Sequence, residues 1–303
     1  MGRWNLLAEA HRQSAGVLVR AEEREDLVDR IVEAVLAAPD TIALQAPSLL
    51  EEPDSLRRAS GESVFTEHGA ERFTTHQTLR EEASLAAWGG RRDGHRLTAN
   101  TVEAALAGAE LNSGQQAAVR GFATSGKRVQ LLVAPAGTGK TTTMKVFAEA
   151  WRSAGGQVHA FGPSARAAQE LGHAIGARPH TLHQVTTALD RGNAHRHFPF
   201  TRGDVLIIDE AAMAGTHTLH AVVRYALERS ADVRMVGDHR QLTAVEAGGA
   251  VRWFSQHNAE SVLKLHEVVR FHDHEQAKAS LLLHAADPGG LDYYFDRDRV
   301  RDG

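Results

Sequence analysis

Apolar residues follow two rhythms along this chain, and the change between them near Leu111 divides it. Upstream the rhythm is helical. Between positions 25 and 38, Leu27, Ile31 and Val35 form one row, with Val28, Val32 and Leu36 beside it. That is a wide apolar stripe at helical spacing, stopped by Pro39. Trp4 and Leu7 predict a shorter helix before it, while residues 60–79 are more polar and commit to neither helix nor strand. Gly89-Gly90-Arg91-Arg92-Asp93-Gly94 has the chemistry of a loop. Residues 1–108 therefore read as a mostly helical N-terminal domain.

Downstream, short apolar runs alternate with amphipathic helices. Ser113 with Gln116 three residues later has the form of a capping box, and Ala118, Val119 and Phe122 follow on one helical face. Runs at 129–134, 157–162, 204–208 and 232–236 are separated by helices that begin at Lys140, at Ala165 and after Thr216. Short continuous apolar strands, each followed by a helix, are the pattern of a parallel sheet covered on both faces. Residues 109–265 are expected to form an α/β lobe. Residues 266–303 hold a short helical stretch at 275–283 and then Asp292-Tyr293-Tyr294.

Composition narrows the field. The 303 residues are 42% hydrophobic and 24% charged, an ordinary globular balance sufficient for one to three domains. No apolar run approaches the roughly 20 residues that cross a bilayer, and no signal-peptide block follows Met1, so a cytoplasmic protein without a membrane partner is expected. There is no cysteine, which removes disulfides, thiolate metal sites and cysteine nucleophiles together. The formal net charge of -4 lends no bulk support to nucleic-acid binding, so any DNA contact must run along a local strip. The 18 histidines are scattered. The two tight pairs, His195-Arg196-His197 and His272-Asp273-His274, have no partner ligands at metal spacing.

Three segments carry chemistry. Ala134-Pro135-Ala136-Gly137-Thr138-Gly139-Lys140-Thr141 follows an apolar strand and opens a helix. It matches the phosphate-loop pattern except that Ala134 stands at the first glycine. Gly137 and Gly139 let backbone N–H groups turn inward around phosphate oxygens, and the new helix points its positive end at the same anion. Lys140 can reach the β- and γ-phosphates, and Thr141 can ligate Mg²⁺. The ATP contacts are expected from Pro135, Ala136, Gly137, Thr138, Gly139, Lys140, Thr141 and Thr142. Asp209-Glu210 ends the apolar strand at 205–208, about seventy residues later. There Asp209 is the candidate Mg²⁺ ligand and Glu210 the candidate base for an attacking water, the alternative being two acids that cap the next helix. Gln241, in Gly237-Asp238-His239-Arg240-Gln241-Leu242, offers an amide to a γ-phosphate oxygen and that water; the alternative is a turn with a solvated glutamine.

With these residues in order, the chain resembles superfamily 1 helicases of the RecD-like group, and most of all the helicase region of TraI/TrwC-type (MobF) conjugative relaxases. Seven motifs carry the resemblance over about 160 residues. They are Leu111-Asn112-Ser113-Gly114-Gln115, the 137–141 loop, Gly162-Pro163-Ser164-Ala165-Arg166-Ala167-Ala168, Thr181-Leu182-His183, Asp209-Glu210-Ala211-Ala212-Met213, the 237–242 segment and Val268-Val269-Arg270-Phe271. The resemblance implies a RecA-like P-loop lobe that binds ATP and Mg²⁺ and acts on single-stranded DNA. It also implies that Gln115 contacts adenine and that Arg270 approaches the γ-phosphate from a neighbouring lobe. Pro163, Ser164, Arg166, Thr181 and His183 would line the DNA path. A helix N-terminus, a core-packing turn and a surface arginine are the plain alternatives for the Pro163–Arg166 segment, Thr181–His183 and Arg270. The histidine and tyrosine elements of a nicking domain are missing, so nicking is not expected. The second lobe reads as truncated, and another chain supplying that lobe or a relaxase domain is an expected partner. The competing reading is a catalytically weak nucleotide- and DNA-binding module.

Overall fold

A computed structural model describes residues 2–44, 72–238, 249–265, 274–284 and 287–295. The chain divides into two compact units, Met1–Glu81 and Glu82–Gly303. In the first, α1 (Arg3–Ser14) and α2 (Ala21–Leu36) pack through Ala10, Val28 and Val32, with Leu6, Leu7, Ile31 and Leu36 around them. One of the two rows seen in the sequence is thus the buried one. Val35 in the other row stays 42% exposed, because a single partner helix covers only a narrow seam of a wide stripe. Strand β1 (Thr41–Ala43) pairs antiparallel with β2 (Phe73–Thr75), and α3 (His76–Gly89) follows directly. Part of the ambiguous 60–79 stretch is therefore strand and helix, and the rest of it lies outside the described residues.

The second unit begins within α3 and continues through α4 (Ala99–Ala107) and α5 (Ser113–Thr124) into the alternating part of the chain. That part runs β3 (Val129–Val133), α6 (Lys140–Ser153), β4 (Val158–Gly162), α7 (Ala165–Ile175), β5 (Pro179–Thr181), α8 (Leu182–Asp190) and α9 (Ala194–His197). It goes on through β6 (Val205–Ile208), α10 (Thr216–Glu228), β7 (Asp232–Gly237), α11 (Ala250–His257) and β8 (Val262–Lys264), with α12 (His274–His284) and α13 (Gly289–Phe295) last. Six of these strands form one parallel sheet in the order β5-β4-β6-β7-β3-β8. The α/β lobe with a parallel sheet expected from the sequence is present.

The two-residue period of a strand explains why the runs carry apolar residues on both faces. Val129, Leu131 and Val133 of β3, with Leu206 and Ile208 of β6, face a core shared with Val185, Leu219, Val222 and Phe254. Leu132 of β3, with Val205 and Ile207 of β6, faces the opposite core beside Phe122, Val146, Phe147 and Leu171. Each strand thus serves two cores, one on either face.

Under the N-terminal ends of β3 and β7 lies a buried polar floor. Arg234 is fully buried, and its guanidinium donates to the carbonyls of Phe122, Lys127, Arg128 and Val233 at 2.9–3.4 Å. Burial pulls its pKa down to about 10, with Asp232 opposing the shift, so it remains charged at neutral pH. Asp232 also accepts from the His95 backbone N–H at 2.8 Å, tying the loop before α4 to the sheet. Trp151 completes the floor. Its ring lies 5.7 Å from the Arg234 guanidinium and 5.4 Å from Phe147, and its Nε1–H donates to Gly203 at 2.8 Å.

Replacing Arg234 by alanine would strip the guanidinium's donors from these carbonyls in a dry site, although the Arg128 carbonyl keeps the Val233 N–H at 2.8 Å. The expected loss is about 3–5 kcal/mol, read as a lower urea midpoint. Arg234→Lys should recover little of it, because one compact ammonium cannot span carbonyls placed for a planar fork. A midpoint close to wild type in either variant would contradict this account of the floor.

Candidate functional site

All six strands point the same way, so the loops after β3, β4, β6 and β7 gather at one edge of the sheet. The loop after β3 holds Gly137 at φ 81° and Gly139 at φ 75°, left-handed conformations in which glycine carries no Cβ penalty. Thr138 is buried between them and its hydroxyl donates to the Pro135 carbonyl at 2.8 Å, which pins the loop. Gly139 caps α6, whose first helical bond runs from the Thr143 N–H to the Gly139 carbonyl at 3.0 Å. The N–H groups of Lys140, Thr141 and Thr142 therefore lie outside the helical ladder at the positive end of the helix. Such a nest takes a phosphate.

The acidic pair has farther to come. Strand β6 is separated from β3 by β7, two strand spacings or about 9.6 Å. Asp209 and Glu210 reach the phosphate loop because the turn after β6, which continues as a short helical turn at Ala211–Met213, crosses the end of β7. Gly237 ends β7 and makes room. A Cβ there would lie 3.2 Å from the Ala211 nitrogen and 3.3 Å from the Ala212 nitrogen. The crossing also bends Glu210 into a left-handed conformation (φ 51°, ψ 36°), which costs about 1–3 kcal/mol for a residue other than glycine. Its N–H donates to Asp209 Oδ1 at 2.8 Å.

Lys140 Nζ consequently lies 2.9 Å from Asp209 Oδ1 and 2.5 Å from Glu210 Oε1. The lysine side chain is 22% exposed and that of Asp209 12%. Burial works against the ammonium, but attraction to Asp209 and Glu210 outweighs it and the lysine pKa is raised. Burial raises the Asp209 carboxyl by more than Lys140 lowers it. A cation and two acids therefore face one another at the mouth of an anion nest. This arrangement can hold a polyphosphate, position a divalent cation and accept a proton from water. Thr141 and Asp209 offer the hard oxygens that Mg²⁺ requires. Thr141 and Thr142 are exposed, so their side chains are accessible.

Gln115 is placed differently from the sequence reading. Asn112, not Ser113, caps α5, and the capping box joins Asn112 to Gln115. Asn112 Oδ1 accepts from the Gln115 N–H at 2.8 Å, and Gln115 Oε1 accepts from the Asn112 N–H at 3.0 Å. Gln116 donates instead to the Leu111 carbonyl. Asparagine one residue upstream leaves Ser113 already inside the first turn, which shifts the box by one. The remaining amide group, Gln115 Nε2, donates to the Thr138 carbonyl at 3.0 Å. Gln115 thus braces the phosphate loop.

A second cluster lies along β4 and β5. Their pairing sets Gly162 opposite Thr181, so Pro163, Ser164 and Arg166 follow one strand end while Thr181 and His183 follow its neighbour. The Ser164 and Thr181 hydroxyls cap α7 and α8, accepting from Ala167 at 3.1 Å and from Gln184 at 3.3 Å. Arg166 pairs with Glu170 at 2.8 Å in an exposed contact that yields readily to a competing anion. His183 is exposed. Gln241 and Arg270 lie outside the described residues.

The AAA domain family model matches residues 110–303. The probable conjugal transfer protein TraA of Sinorhizobium fredii is 27% identical over 236 residues, covering 76% of this chain and 21% of that protein. The ATP-dependent RecD2 DNA helicase of Deinococcus radiodurans is 34% identical over 146 residues, covering 48% of this chain and 20% of that protein. Among solved structures, the Pif1 helicase of Candida albicans aligns at 20% identity with a TM-score of 0.42, covering 58% of this chain and 44% of that one. The chain spans about a fifth of the length of the curated relatives it matches.

Gly237 gives this geometry a direct test. Gly237→Val should push the Asp209–Ala212 turn off the end of β7 and separate the acids from Lys140. A displacement of about 1 Å at a reacting group lowers turnover about 10²-fold. We expect nucleoside triphosphate hydrolysis to fall on that scale while the melting temperature stays within a few degrees, and Gly237→Ala to fall between the two. Hydrolysis unchanged in the valine variant would show that the turn does not depend on the missing side chain.

Proposed function

The chain belongs to this AAA domain family across residues 110–303, and from that membership we propose that it is the ATP-hydrolysing motor region of a RecD-like superfamily 1 helicase acting on single-stranded DNA. The observation that carries the reading is the approach of Lys140 to Asp209 and Glu210 at the mouth of the phosphate loop. A surface turn has no reason to bury a lysine against two acids. A site that must exchange one set of anions for another does.

In this reading the triphosphate enters the nest formed by residues 135–142. Lys140 leaves its carboxylate partners for the β- and γ-phosphate oxygens, as a point charge on a flexible stem can. Thr141 and Asp209 would hold Mg²⁺, which when bound would supply positive charge to the phosphates. Glu210, released by Lys140, takes a proton from the attacking water. Gln241 senses the γ-phosphate and orients that water, and Arg270 approaches the same phosphate. Gln115 carries the adenine contact through the element that also braces the loop. The single strand crosses Pro163–Arg166 and Thr181–His183, where exposed polar groups sit at adjoining strand ends. The reading attributes no strand cleavage to this region. A chain that supplies the opposing lobe, or a relaxase domain, is its proposed partner. No helix among the described residues is long and apolar enough to cross a membrane.

Lys140→Ala should abolish nucleotide binding while leaving the lobe folded. ATP at 100 times its Kd stabilises a protein by about 2.7 kcal/mol, which raises the melting temperature of a domain this size by several degrees. We expect that upward shift in the wild type and none in Lys140→Ala, each measured against its own nucleotide-free state. An equal shift in the variant would remove Lys140 from the site.

The two acids should separate by assay. Glu210→Gln is expected to keep Mg²⁺-ATP binding and lose about 10²–10⁴-fold in DNA-stimulated hydrolysis, since an amide cannot take the proton. Asp209→Asn should instead weaken binding only when Mg²⁺ is present. Identical behaviour of the two variants across a Mg²⁺ titration would refute the separate roles.

A further inference from the structure

Far from Lys140 in the strand order, the sheet ends at β5, and this edge carries a cleft of about 350 Å³ between β5, α8 and α9. Arg178, His180, His183, Arg191, Asn193 and His197 line it. A second depression of about 430 Å³ continues along the same edge, sharing Arg178 and His180 and adding Arg152 and His159. No aspartate or glutamate lines either one, although the chain as a whole carries 38 acidic residues against 34 basic ones. Positive charge is therefore segregated to this edge in a net-acidic protein.

Three details say what the cleft would hold. The side chains of Arg178 and Arg191 have no ion pair or hydrogen bond with any described residue, whereas those of Arg120 and Arg166 each hold a carboxylate. Burial and the charge of Arg178 hold His180 below the usual imidazole range, so permanent charge rests on the two arginines. One wall is aromatic, with the His180 and Phe198 rings edge to face at 5.1 Å. Arginines without partners call for phosphate or carboxylate, and an aromatic wall suits a flat base.

Continuity supplies the direction. His183 stands in the first turn of α8, two residues after Thr181, and also lines the cleft. Helix α8 then runs nine residues, about 13 Å, to Arg191 at its far end. Resting on the single-stranded DNA reading above, we propose that a strand leaving the Thr181–His183 segment turns down the open edge of β5 and seats a nucleotide in this cleft. Arg178 and Arg191 hold its phosphates, and His180 and Phe198 face its base. The volume suits one nucleotide and is too small for a duplex.

The test uses the full chain and a fluorescent oligothymidylate, followed by anisotropy from low to moderate salt. Each phosphate contact on a single strand contributes about 0.7 to the slope of log K against log salt. Arg178→Ala with Arg191→Ala should weaken binding and make that slope shallower by about 1.4. ATP-induced thermal stabilisation should be unchanged. The paired lysine variant should restore the slope and not the full affinity. Wild-type binding with an unaltered slope in the alanine pair would overturn the cleft alone, leaving the helicase reading in place. Failure of the wild type to bind the oligonucleotide at low salt would overturn both. Displacement of the oligonucleotide by polyglutamate at equal charge would make the edge a general anion surface and overturn the assignment to nucleic acid.

Discussion

A half-buried ammonium facing two acids organises this lobe. Lys140, Asp209 and Glu210 come from elements separated by about seventy residues and by an intervening strand. They meet because attraction at 2.5–2.9 Å offsets the loss of water around each. With both acids ionised the trio carries a net negative charge. A triphosphate arriving there adds more, and one lysine cannot balance all of it. Under the proposed function, the demand for a divalent cation would therefore arise from the protein's own charges as much as from the nucleotide's. The same arithmetic explains why Lys140 can let go: its present partners and its future ones are all anions.

Much of the lobe was legible in the sequence because its constraints are local. A strand buried on both faces favours apolar residues on both, so 205–208, apolar throughout, and 129–133, with Gln130 its one polar residue, are legible in the sequence. Glycines in left-handed conformations are required where backbone nitrogens converge, which made Gly137 and Gly139 readable before any fold was known. The lysine and threonine after them follow from the chemistry of phosphate. The acidic pair was readable for a similar reason, since it ends an apolar strand.

What stayed hidden depends on strand order and on neighbours. Gly237 could be seen as part of a motif, but its use as a gap under the Asp209–Ala212 turn exists only because β7 lies between β3 and β6. The capping box was misplaced by one residue because Asn112 and Ser113 each have a glutamine three positions on, and spacing does not choose between them. Likewise, two rows of α2 are equally apolar in sequence, and the partner helix alone selects the Val28–Val32 row. Nothing in the sequence spacing of Arg128, Asp232 and Arg234 marks these charges as buried. The His95 loop closes over Asp232, and Phe122 and Trp151 close over Arg234, contacts that no periodicity announces.

The same floor provides an optical reporter that belongs to the lobe alone. The chain has four tryptophans. Trp4 and Trp253 are exposed at 65% and 40%, and Trp88 stacks on His220 at 5.0 Å. Trp151 is completely shielded, with its indole N–H committed to a backbone carbonyl and a guanidinium over its ring. An indole held in such surroundings emits at shorter wavelength than one in water, and water reaches it only when the sheet comes off its floor. The blue edge of the emission spectrum therefore follows the integrity of the parallel sheet, whatever the N-terminal helices are doing.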